Sequence, residues 1–466
     1  MDTTLMDATQ WAQTEFGAAQ MGDQRRTRRL IRVAAALARE AHGILPESFD
    51  GWAQLKAAYR LMEQPDVRYE DIIAPHRQRV RIACGEPGEY LLVEDTSELS
   101  FTGRQGMVGL GRIGDGRGQG MLVHTNLALR IERWNAQHEP EVTVRGLMHQ
   151  QWWARTGSVI HKGRERRQDR LARQRESQRW GASIPQIGSP PADVRWTLVA
   201  DRESDVYEVF ERCVRHGWGF IIRANRPRAL ADATGLVTDA LAHSPAFGAF
   251  SLEVRARPGR TARTADLEVR ACRVQLRGPV RPDGRPGPRA VAVVEAREIN
   301  PPGGEDPVHW VLLTDWPAGG WTEALRVVKA YARRWLIEEY HKALKTGTGI
   351  EHSQLTTADR ITALLGILAV VAVRLLNMKL LATTCPDELV SPEELGAEAM
   401  AILENKFGRP PEGWTNRSLM RAVGRLGGFI GRRSDGEPGW IVIWRGWRKL
   451  MFMAEGFDLA RNEKCG

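Results

Sequence analysis

The sequence has few cysteines and few lysines, and each shortage narrows the class of protein. Five of the 466 residues are cysteines, and no two of them form a CxxC pair. A disulfide-stabilised scaffold and a zinc ribbon are therefore disfavoured, and the composition is typical of a reducing cytoplasm. The basic residues are mostly arginine, with 57 arginines against 9 lysines.

Long apolar runs and a leader segment are also missing. The first ten residues, MDTTLMDATQ, contain no basic stretch followed by an apolar one, so we expect no signal peptide. The longest uncharged, apolar-rich run covers residues 361–373, which is shorter than the roughly 20 residues that cross a bilayer. This run predicts a buried core helix and no membrane partner.

The sequence does contain a basic excess, on a chain long enough for several domains. At about 150 residues per domain, 466 residues predict roughly three domains, and the 42% hydrophobic content excludes a largely disordered chain. The formal net charge is +9 and the pI is near 9.5. Because arginine binds phosphate bidentately, this balance favours a polyanionic partner over an acidic small molecule.

Residues 1–70 have a helical pattern with a strongly basic start. Asp23 is placed to cap a helix whose first turns are crowded by five arginines, Arg28 and Arg29 among them. These cations oppose the helix dipole. A phosphate partner would offset that cost, but a solvated basic face is an equally good interpretation. With a second helix expected at about residues 52–62, the segment is compatible with a helical DNA-binding module.

The middle of the chain alternates strand and helix patterns. Residues 90–93 and 196–200 are short, continuous apolar runs, which are typical of strands buried on both faces of a sheet. Asp95 and Asp201 each come just past one of these strands, where α/β folds bind their ligands. The alternative is that each aspartate caps the next helix or turn.

Three further segments differ in composition from their surroundings. Residues 164–180, dense in Arg, Gln and Glu, predict an exposed helix or a mobile loop. Residues 226–315 combine alternating apolar positions with a cluster of Pro and Gly, which indicates a β-rich unit. Residues 385–466 are mixed and end in a Trp-rich stretch.

One helix is predicted over residues 325–345. At about 100° per residue, five polar side chains share one sector of this helix, while Leu336 and Tyr340 point roughly the opposite way. The sector holds one carboxylate among several cations, and it could equally be a solvated face with pairs such as Glu338 with Lys342. The five residues are Tyr331, Arg334, Glu338, Lys342 and Lys345.

Three carboxylates without histidine or cysteine partners indicate a particular chemistry. Asp95, Asp201 and Glu338 offer only hard oxygen ligands, which suit Mg²⁺ or Mn²⁺. The flanking cations suggest a phosphate-bearing substrate. Together these features suit phosphoryl transfer with two metal ions.

A GxGxxG pattern at residues 109–114 has a different explanation. A dinucleotide site needs this pattern between a strand and a helix, whereas here it lies inside a Gly-rich run, 103–120, followed by a strand-like segment. A loop or hairpin tip is therefore the preferred interpretation.

The segment YARRWLIEEYHKALKTGTG (331–349) resembles the Y-(2)-R-(3)-E-(6)-K signature of the IS4-type DDE transposases, the family of the Tn5 transposase. Tyr331, Arg334, Glu338 and Lys345 occupy the four positions at the family spacing. The resemblance runs along nearly the whole chain. The other matching segments are MGDQRRTRRL (21–30), VEDTSELSF (93–101), HQQWWAR (149–155), ESQRW (176–180), VADRESD (199–205), INPP (299–302), HWVLLT (309–314) and RLGGF (425–429).

The resemblance implies an α/β fold with an RNase H-like catalytic core and a β-rich insertion. An N-terminal helical DNA-binding domain and a C-terminal, mainly helical dimerisation region would flank this core. The expected boundaries are 1–70 for the end-binding domain, 71–380 for the catalytic domain with its insertion at about 226–315, and 381–466 for the dimerisation domain.

The resemblance also implies cut-and-paste transposition, in which element ends are nicked, closed as hairpins, opened and transferred to a target. Asp95, Asp201 and Glu338 would be the catalytic ligands of two Mg²⁺ ions, which Mn²⁺ can replace. Trp310 would stack on a base flipped at the hairpin. The expected partners are double-stranded DNA, as terminal inverted repeats and target, and a second copy of the chain. The expected DNA contacts are Arg28, Arg29, Trp310, Tyr331, Arg334, Lys342 and Lys345.

Two other functions remain open at this point. One is a structure-selective nuclease with the same fold and acidic triad, although such an enzyme needs no sequence-specific end binder. The other is a catalytically idle DNA-binding repressor of transposition, although all three acidic positions are intact. Metal-dependent cleavage of end-bearing DNA separates the three functions.

Overall fold

A computed structural model describes most of the chain. The described residues are 4–39, 44–49, 51–155, 179–232, 235–254, 261–281, 284–432 and 435–462. The helix or loop expected at 164–180 therefore lies almost wholly outside the described residues, as does most of the ESQRW match.

The N-terminal region is helical, as predicted. Its elements are α1 (Ala8–Phe16), α2 (Gln24–Arg39), a 3₁₀ turn (Leu45–Ser48), α3 (Trp52–Met62) and α4 (Tyr69–Ala83). Asp23 precedes α2, and its Oδ1 accepts the backbone N–H of Arg25 at 2.8 Å. The apolar stripe of α2, which includes Leu30 and Leu37, is fully buried, so the opposite face of α2 is left to its arginines.

A single ten-stranded sheet forms the centre of the molecule. β4 pairs with β3, and the path then continues β3–β1–β5–β6–β10–β9–β8–β7. β1, β5 and β6 run parallel, and the other main pairings are antiparallel. The strands are β1 (Gly88–Ser100), β2 (Gly111–Ile113), β3 (Gly118–Trp134), β4 (Pro140–Trp153), β5 (Val194–Ala200), β6 (Gly219–Arg223), β7 (Ala246–Val254), β8 (Arg263–Leu276), β9 (Arg289–Glu298) and β10 (His309–Thr314).

The β-rich segment predicted at 226–315 extends this sheet. β7 to β10 fall within the segment, and β10 returns to pair antiparallel with β6. The inserted strands bury side chains on both faces of the sheet. Val293 and Val294, for example, are buried on opposite sides of it. The mixed sheet with flanking helices confirms the expected α/β fold with an RNase H-like core.

Helices cover the sheet and make up the described part of the C-terminal region. They are α5 (Ser183–Ile187), α6 (Tyr207–Arg215), α7 (Val237–Ala242), α8 (Trp321–Ala332), α9 (Trp335–Lys342), α10 (Ala358–Thr384), α11 (Pro392–Leu395), α12 (Ala397–Phe407), α13 (Asn416–Leu426) and α14 (Trp440–Asn462). Of the last four, α13 and α14 pack on α10, α12 packs on α14, and α11 packs on α12.

The prediction of one uninterrupted helix over 325–345 is wrong. The backbone N–H groups of Arg334 and Ile337 bond three residues back, to Tyr331 and Arg334, instead of four. This tight turn separates α8 from α9, and α9 runs on into a π-helical turn, Ala343–Gly347. The two faces survive the break, since Leu336 and Tyr340 are buried as the periodicity predicts.

The apolar run at 361–373 lies in α10, the central helix of the core. The whole helix has 27 residues and is long and apolar enough to cross a membrane, but 94% of its most apolar window is buried in the protein. The prediction of a buried core helix is confirmed. Of the four charged residues in this helix, Asp359, Arg360, Arg374 and Lys379, only Arg374 is buried.

Candidate active site

Asp95 lies inside β1 and not past its end. The apolar run stops at Val93, but β1 continues to Ser100 because β3 pairs with it in antiparallel register as far as Gly120. The predicted end of the strand was therefore wrong. The neighbouring strand β5 does end at this level, since Glu94 of β1 pairs with Ala200, the last residue of β5.

Asp201 directly follows β5, as predicted. Because Glu94 and Ala200 are partners on parallel strands, Asp95 and Asp201 occupy the next position on each, and such strands lie about 4.8 Å apart. Oδ1 of Asp201 accepts the N–H of Arg202 at 2.6 Å and caps a 3₁₀ turn. The capping interpretation is therefore correct for one oxygen. Oδ2 makes no hydrogen bond within the described residues.

Arg334 links Asp95 to Glu338. Its Nη1 lies 3.4 Å from Oδ2 of Asp95, and its Nη2 donates to Oε1 of Glu338. Arg334 precedes α9 by one residue, so the four-residue spacing places both side chains on one face. The Arg334 side chain is 14% exposed and that of Glu338 is 58% exposed. Within the described residues Arg334, and not the exposed Lys342, is the ion-pair partner of Glu338.

The site carries more negative charge than Arg334 offsets. Burial raises the pKa of Asp95 to about 6; Arg334 opposes this rise, and the charges of Glu338 and Asp201 add to it. Burial alone would lower the pKa of Arg334, but the facing Tyr331 and the carboxylates hold it above its usual value. An added cation would therefore stabilise the ionised carboxylates.

The chemistry of the donor set fits a hard divalent cation. Asp95, Asp201 and Glu338 supply only carboxylate oxygens, the ligands that Mg²⁺ and Mn²⁺ prefer. Across the described ranges, however, no group of three acidic, histidine or cysteine side chains is close enough to hold a metal ion as it stands. Arg334 contacts two of the three carboxylates, so a cation would have to replace its guanidinium there.

The predicted DNA-contact residues of the catalytic domain surround these carboxylates. Trp310, the second residue of β10, is half-buried and meets Tyr331 edge to face, with ring centroids 5.3 Å apart. Burial raises the pKa of Tyr331 to about 12, aided by the charge of Asp201. Nζ of Lys345 lies 3.5 Å from Oγ of Ser97, two residues beyond Asp95. Lys342 is exposed on α9.

Arg28 and Arg29 lie elsewhere, on α2. This helix packs mainly on α1, α3 and α10, and not on the strands that carry the aspartates. Arg28 is exposed and Arg29 is half-exposed, and neither makes an ion pair within the described residues. The structure therefore separates the basic surface of α2 from the carboxylate site.

Arg223 belongs to the site but was missed in the sequence. It is the last residue of β6, its Nη2 donates to the carbonyl of His309 at 2.9 Å, and it also acts on Tyr331. The signal was available, because Arg223 ends a parallel strand next to β5, just as Asp201 follows β5. Glu94, beside Asp95, has a structural role: it is fully buried on the opposite face, bonded to Ser183.

The GxGxxG segment is part of a hairpin between β1 and β3, as expected. The Val108 N–H donates to Thr356 O at 2.9 Å, and the Ala358 N–H donates to Val108 O at 2.8 Å, so the segment packs on the start of α10. Gly109 has φ +82°, and an added Cβ would lie 2.9 Å from Ala358 Cβ. Close packing therefore explains this glycine without a nucleotide.

Three family models match successive parts of the chain. Residues 8–67 match a model described as transposase DNA-binding. Residues 189–374 match a transposase DDE domain, and residues 370–465 match a transposase Tn5 dimerisation domain. The DDE match contains Asp201 and Glu338 and begins after β1, so it does not reach Asp95.

Proposed function

The chain belongs to the Tn5-like, IS4-family DDE transposases, and from this premise we propose that it moves its own element by a cut-and-paste route. As a DDE transposase it is a metal-dependent enzyme that cleaves DNA and transfers strands. It also has a DNA-binding domain and a dimerisation domain. The finer steps, residues and ligands below are our proposal.

Residues 1–70 bind the element end, 71–380 carry out the chemistry and 381–466 join two copies. The DNA partners are the terminal inverted repeats of the element and, later, its target. Transposition takes place in the cytoplasm, on the nucleoid. Support comes from the separation of the α2 arginines from the carboxylates, since one surface can hold DNA while the other cuts it.

Asp95, Asp201 and Glu338 hold two divalent cations, Mg²⁺ in the cell, for which Mn²⁺ can substitute. When bound, the two ions supply activation of the attacking oxygen and stabilisation of the leaving oxygen. The protein positions these carboxylates on a rigid frame: Asp95 in β1, Asp201 at the end of β5 and Glu338 on α9.

Arg334, Tyr331 and the lysines hold the phosphates of the cleaved end. Arg334 offers a planar guanidinium, which binds phosphate bidentately and fixes its orientation. Lys345, next to Ser97, adds a second cation on the β1 side of Asp95, and Lys342 is free to reach the backbone of the duplex. Binding in this way places the scissile bond at the carboxylates.

Trp310 stabilises the bent DNA of the hairpin step. A hairpin joins two strands across the end of a duplex, and extruding a base costs a few kcal/mol of stacking and pairing. An aromatic side chain can return about 1–3 kcal/mol of stacking. Trp310 is half-buried and braced by Tyr331, so one face is supported while part of the ring stays accessible.

The observation that carries this proposal is the convergence of the three carboxylates. They come from residues 95, 201 and 338, and Arg334 contacts two of them directly. The charge of the third, Asp201, acts on the pKa of Asp95. No structural need of the core requires three acids here, because Glu338 is mostly exposed.

The test is a cleavage assay on DNA that carries the inverted repeats flanking the gene. With Mg²⁺ we expect a nick, then a hairpin, then a double-strand cut, resolved on a denaturing gel. Trp310→Ala should block the hairpin far more than the nick, and an abasic site at the flipped position should partly rescue it. Nicking without hairpins by the wild-type protein, or digestion of any DNA, would instead indicate a nuclease.

A further inference from the structure

A second polar cluster lies away from the carboxylates, around a cavity of about 170 Å³. The cavity lies at the seam between helix α1, helix α4, strand β4 and the core helix α10. Its charged lining residues are Glu15, Arg79, Arg145, Arg374 and Glu388. A water molecule needs only about 10–15 Å³, so the cavity has room for a small polyatomic ligand.

Arg374 is the residue that makes this cavity unusual. Only 4% of it is exposed, although it carries a full charge within the apolar helix α10. Its Nε donates to the Thr4 carbonyl at 3.1 Å, and its Nη2 donates to the Met6 carbonyl. The guanidinium lies over the ring of Trp11, 5.3 Å from the centroid.

One part of this guanidinium is left unsatisfied. Among the described residues, the buried Nη1 of Arg374 has no hydrogen-bond partner, and no carboxylate lies within ion-pair distance of the side chain. Burial lowers the pKa of Arg374 to about 10, against the weaker opposing charges of Asp7 and Glu15. Burying a charge without a counter-ion costs several kcal/mol.

The other charged groups of the cavity do not supply that counter-ion. Glu15 accepts from Nη2 of Arg79 at 2.6 Å and from Nδ1 of His76 at 2.7 Å. His76 is neutral, because its Nε2 accepts the backbone N–H of Leu147 at 3.0 Å. Arg145 is 31% exposed and pairs with Glu132 at 3.0 Å, and Glu388 is exposed, so neither residue acts as the counter-ion of Arg374.

We propose that this cavity is a binding site for a small oxyanion such as inorganic phosphate, held by the free Nη1 of Arg374. An oxyanion offers several acceptors for one guanidinium, and its charge would be the counter-ion that Arg374 lacks among the described residues. The DNA backbone is not the ligand, because a duplex cannot reach a side chain that is 96% buried. The bound ion would fix α1 and the N-terminal segment on α10. This inference is independent of the proposed function.

The first test is thermal unfolding of the full chain without DNA, with inorganic phosphate against chloride at equal ionic strength. We expect phosphate to raise the Tm saturably, on the order of 2 °C. Arg374→Met should abolish this rise. Arg117→Met is the matched control, because this arginine is 92% exposed in the β2–β3 hairpin and its loss should leave the rise intact. An equal rise in wild type and Arg374→Met would overturn the proposal.

A second measurement uses only the wild-type protein, in case Arg374→Met does not fold. Cys385 lines the cavity, whereas Cys272 lies on β8 and is also half-exposed. Alkylation by iodoacetamide, followed by peptide mass spectrometry, reports both thiols in one sample. Phosphate should slow the alkylation of Cys385 several-fold and leave Cys272 unchanged. Equal rates at Cys385 with phosphate and with chloride would contradict the site.

Discussion

Two groups of acidic and basic side chains in this protein are built from similar residues and behave in opposite ways. At the junction of α1 and α4, Glu15 is 1% exposed and both its oxygens are held by His76 and Arg79. Although burial alone would raise its pKa, these partners lower the pKa of Glu15 to about 2. At the carboxylates of β1 and β5, in contrast, burial raises the pKa of Asp95 to about 6.

The two carboxylates differ in how completely hydrogen bonds and ion pairs within the fold offset their charge. Glu15 has its partners within the fold, so its charge stabilises the packing of two helices. Asp95 shares one arginine with Glu338 and lies near a third carboxylate, so its charge is only partly offset within the fold. A raised pKa in a carboxylate grouped with other charges is typical of functional sites, so the comparison favours a structural role for Glu15 and is consistent with the catalytic role proposed for Asp95.

The largest effect is expected from neutralising one of the three carboxylates of the candidate active site. Asp201→Asn removes one metal-ligand charge and should lower DNA cleavage on the order of 10³-fold or more, with end binding and Tm nearly unchanged. Glu203→Gln is the matched control, since Glu203 is exposed two residues away, and it should cleave normally. Single-turnover cleavage and a gel-shift assay measure the two properties. Cleavage by Asp201→Asn at the wild-type rate would remove Asp201 from the site.

The second-largest effect is expected from the loss of the Arg334 side chain. Arg334→Ala should slow cleavage on the order of 10²-fold, because the Arg334 side chain orients the phosphate at the cleaved end. DNA binding should weaken less, because many other contacts also hold the DNA. Arg333→Ala tests the adjacent arginine, which pairs with Glu139 instead, and it should be near wild type in rate. Equal losses in binding and in single-turnover rate for Arg334→Ala would make it a general affinity residue.

At the junction of α1 and α4, neutralising a carboxylate should lower the stability of the protein and leave its cleavage rate unchanged. Glu15→Gln leaves Arg79 half-buried without its acid, which costs about 3 kcal/mol and lowers the Tm. Its cleavage rate per folded molecule should stay at the wild-type level below the new Tm. A Glu15→Gln protein with an unchanged Tm would show that the buried pair is not what holds α1 on α4.

The smallest effect is expected on α2. Arg28→Ala should weaken binding to the element end and reduce the slope of log K against log salt concentration by about one. The cleavage rate of the bound complex should not change. A binding isotherm at several salt concentrations gives the slope, and an unchanged slope would mean that Arg28 is an ordinary solvated charge.

The sequence predicted the parts of the site that depend on local pattern. The apolar runs located β1 and β5, and the residue spacing put Arg334 and Glu338 on one helix face. It did not show where β1 ends, because most of the strand's last residues are polar and the strand is extended there by pairing with β3. Nor did it show the tight turn before α9, because the apolar and polar faces continue across it.

The junction cluster was invisible in the sequence for a related reason. Glu15, His76 and Arg374 are separated by 61 to 370 residues from their partners, and nothing in their local pattern marks them. Arg374 simply appeared as the residue that ended an apolar run. Only the packing of α1, α4 and α10 brings these groups together.

The central claim is that Asp95, Asp201 and Glu338 are metal ligands, and a change of ligand type tests it most directly. Asp201→Cys replaces a hard oxygen with a soft sulfur, which binds Mg²⁺ poorly and softer ions such as Mn²⁺ better. Cleavage of end-bearing DNA is measured with each ion, with Tm and end binding as controls. We predict no cleavage by Asp201→Cys in Mg²⁺ and restored cleavage in Mn²⁺. Full cleavage in Mg²⁺ by a folded, DNA-binding Asp201→Cys protein would contradict the account.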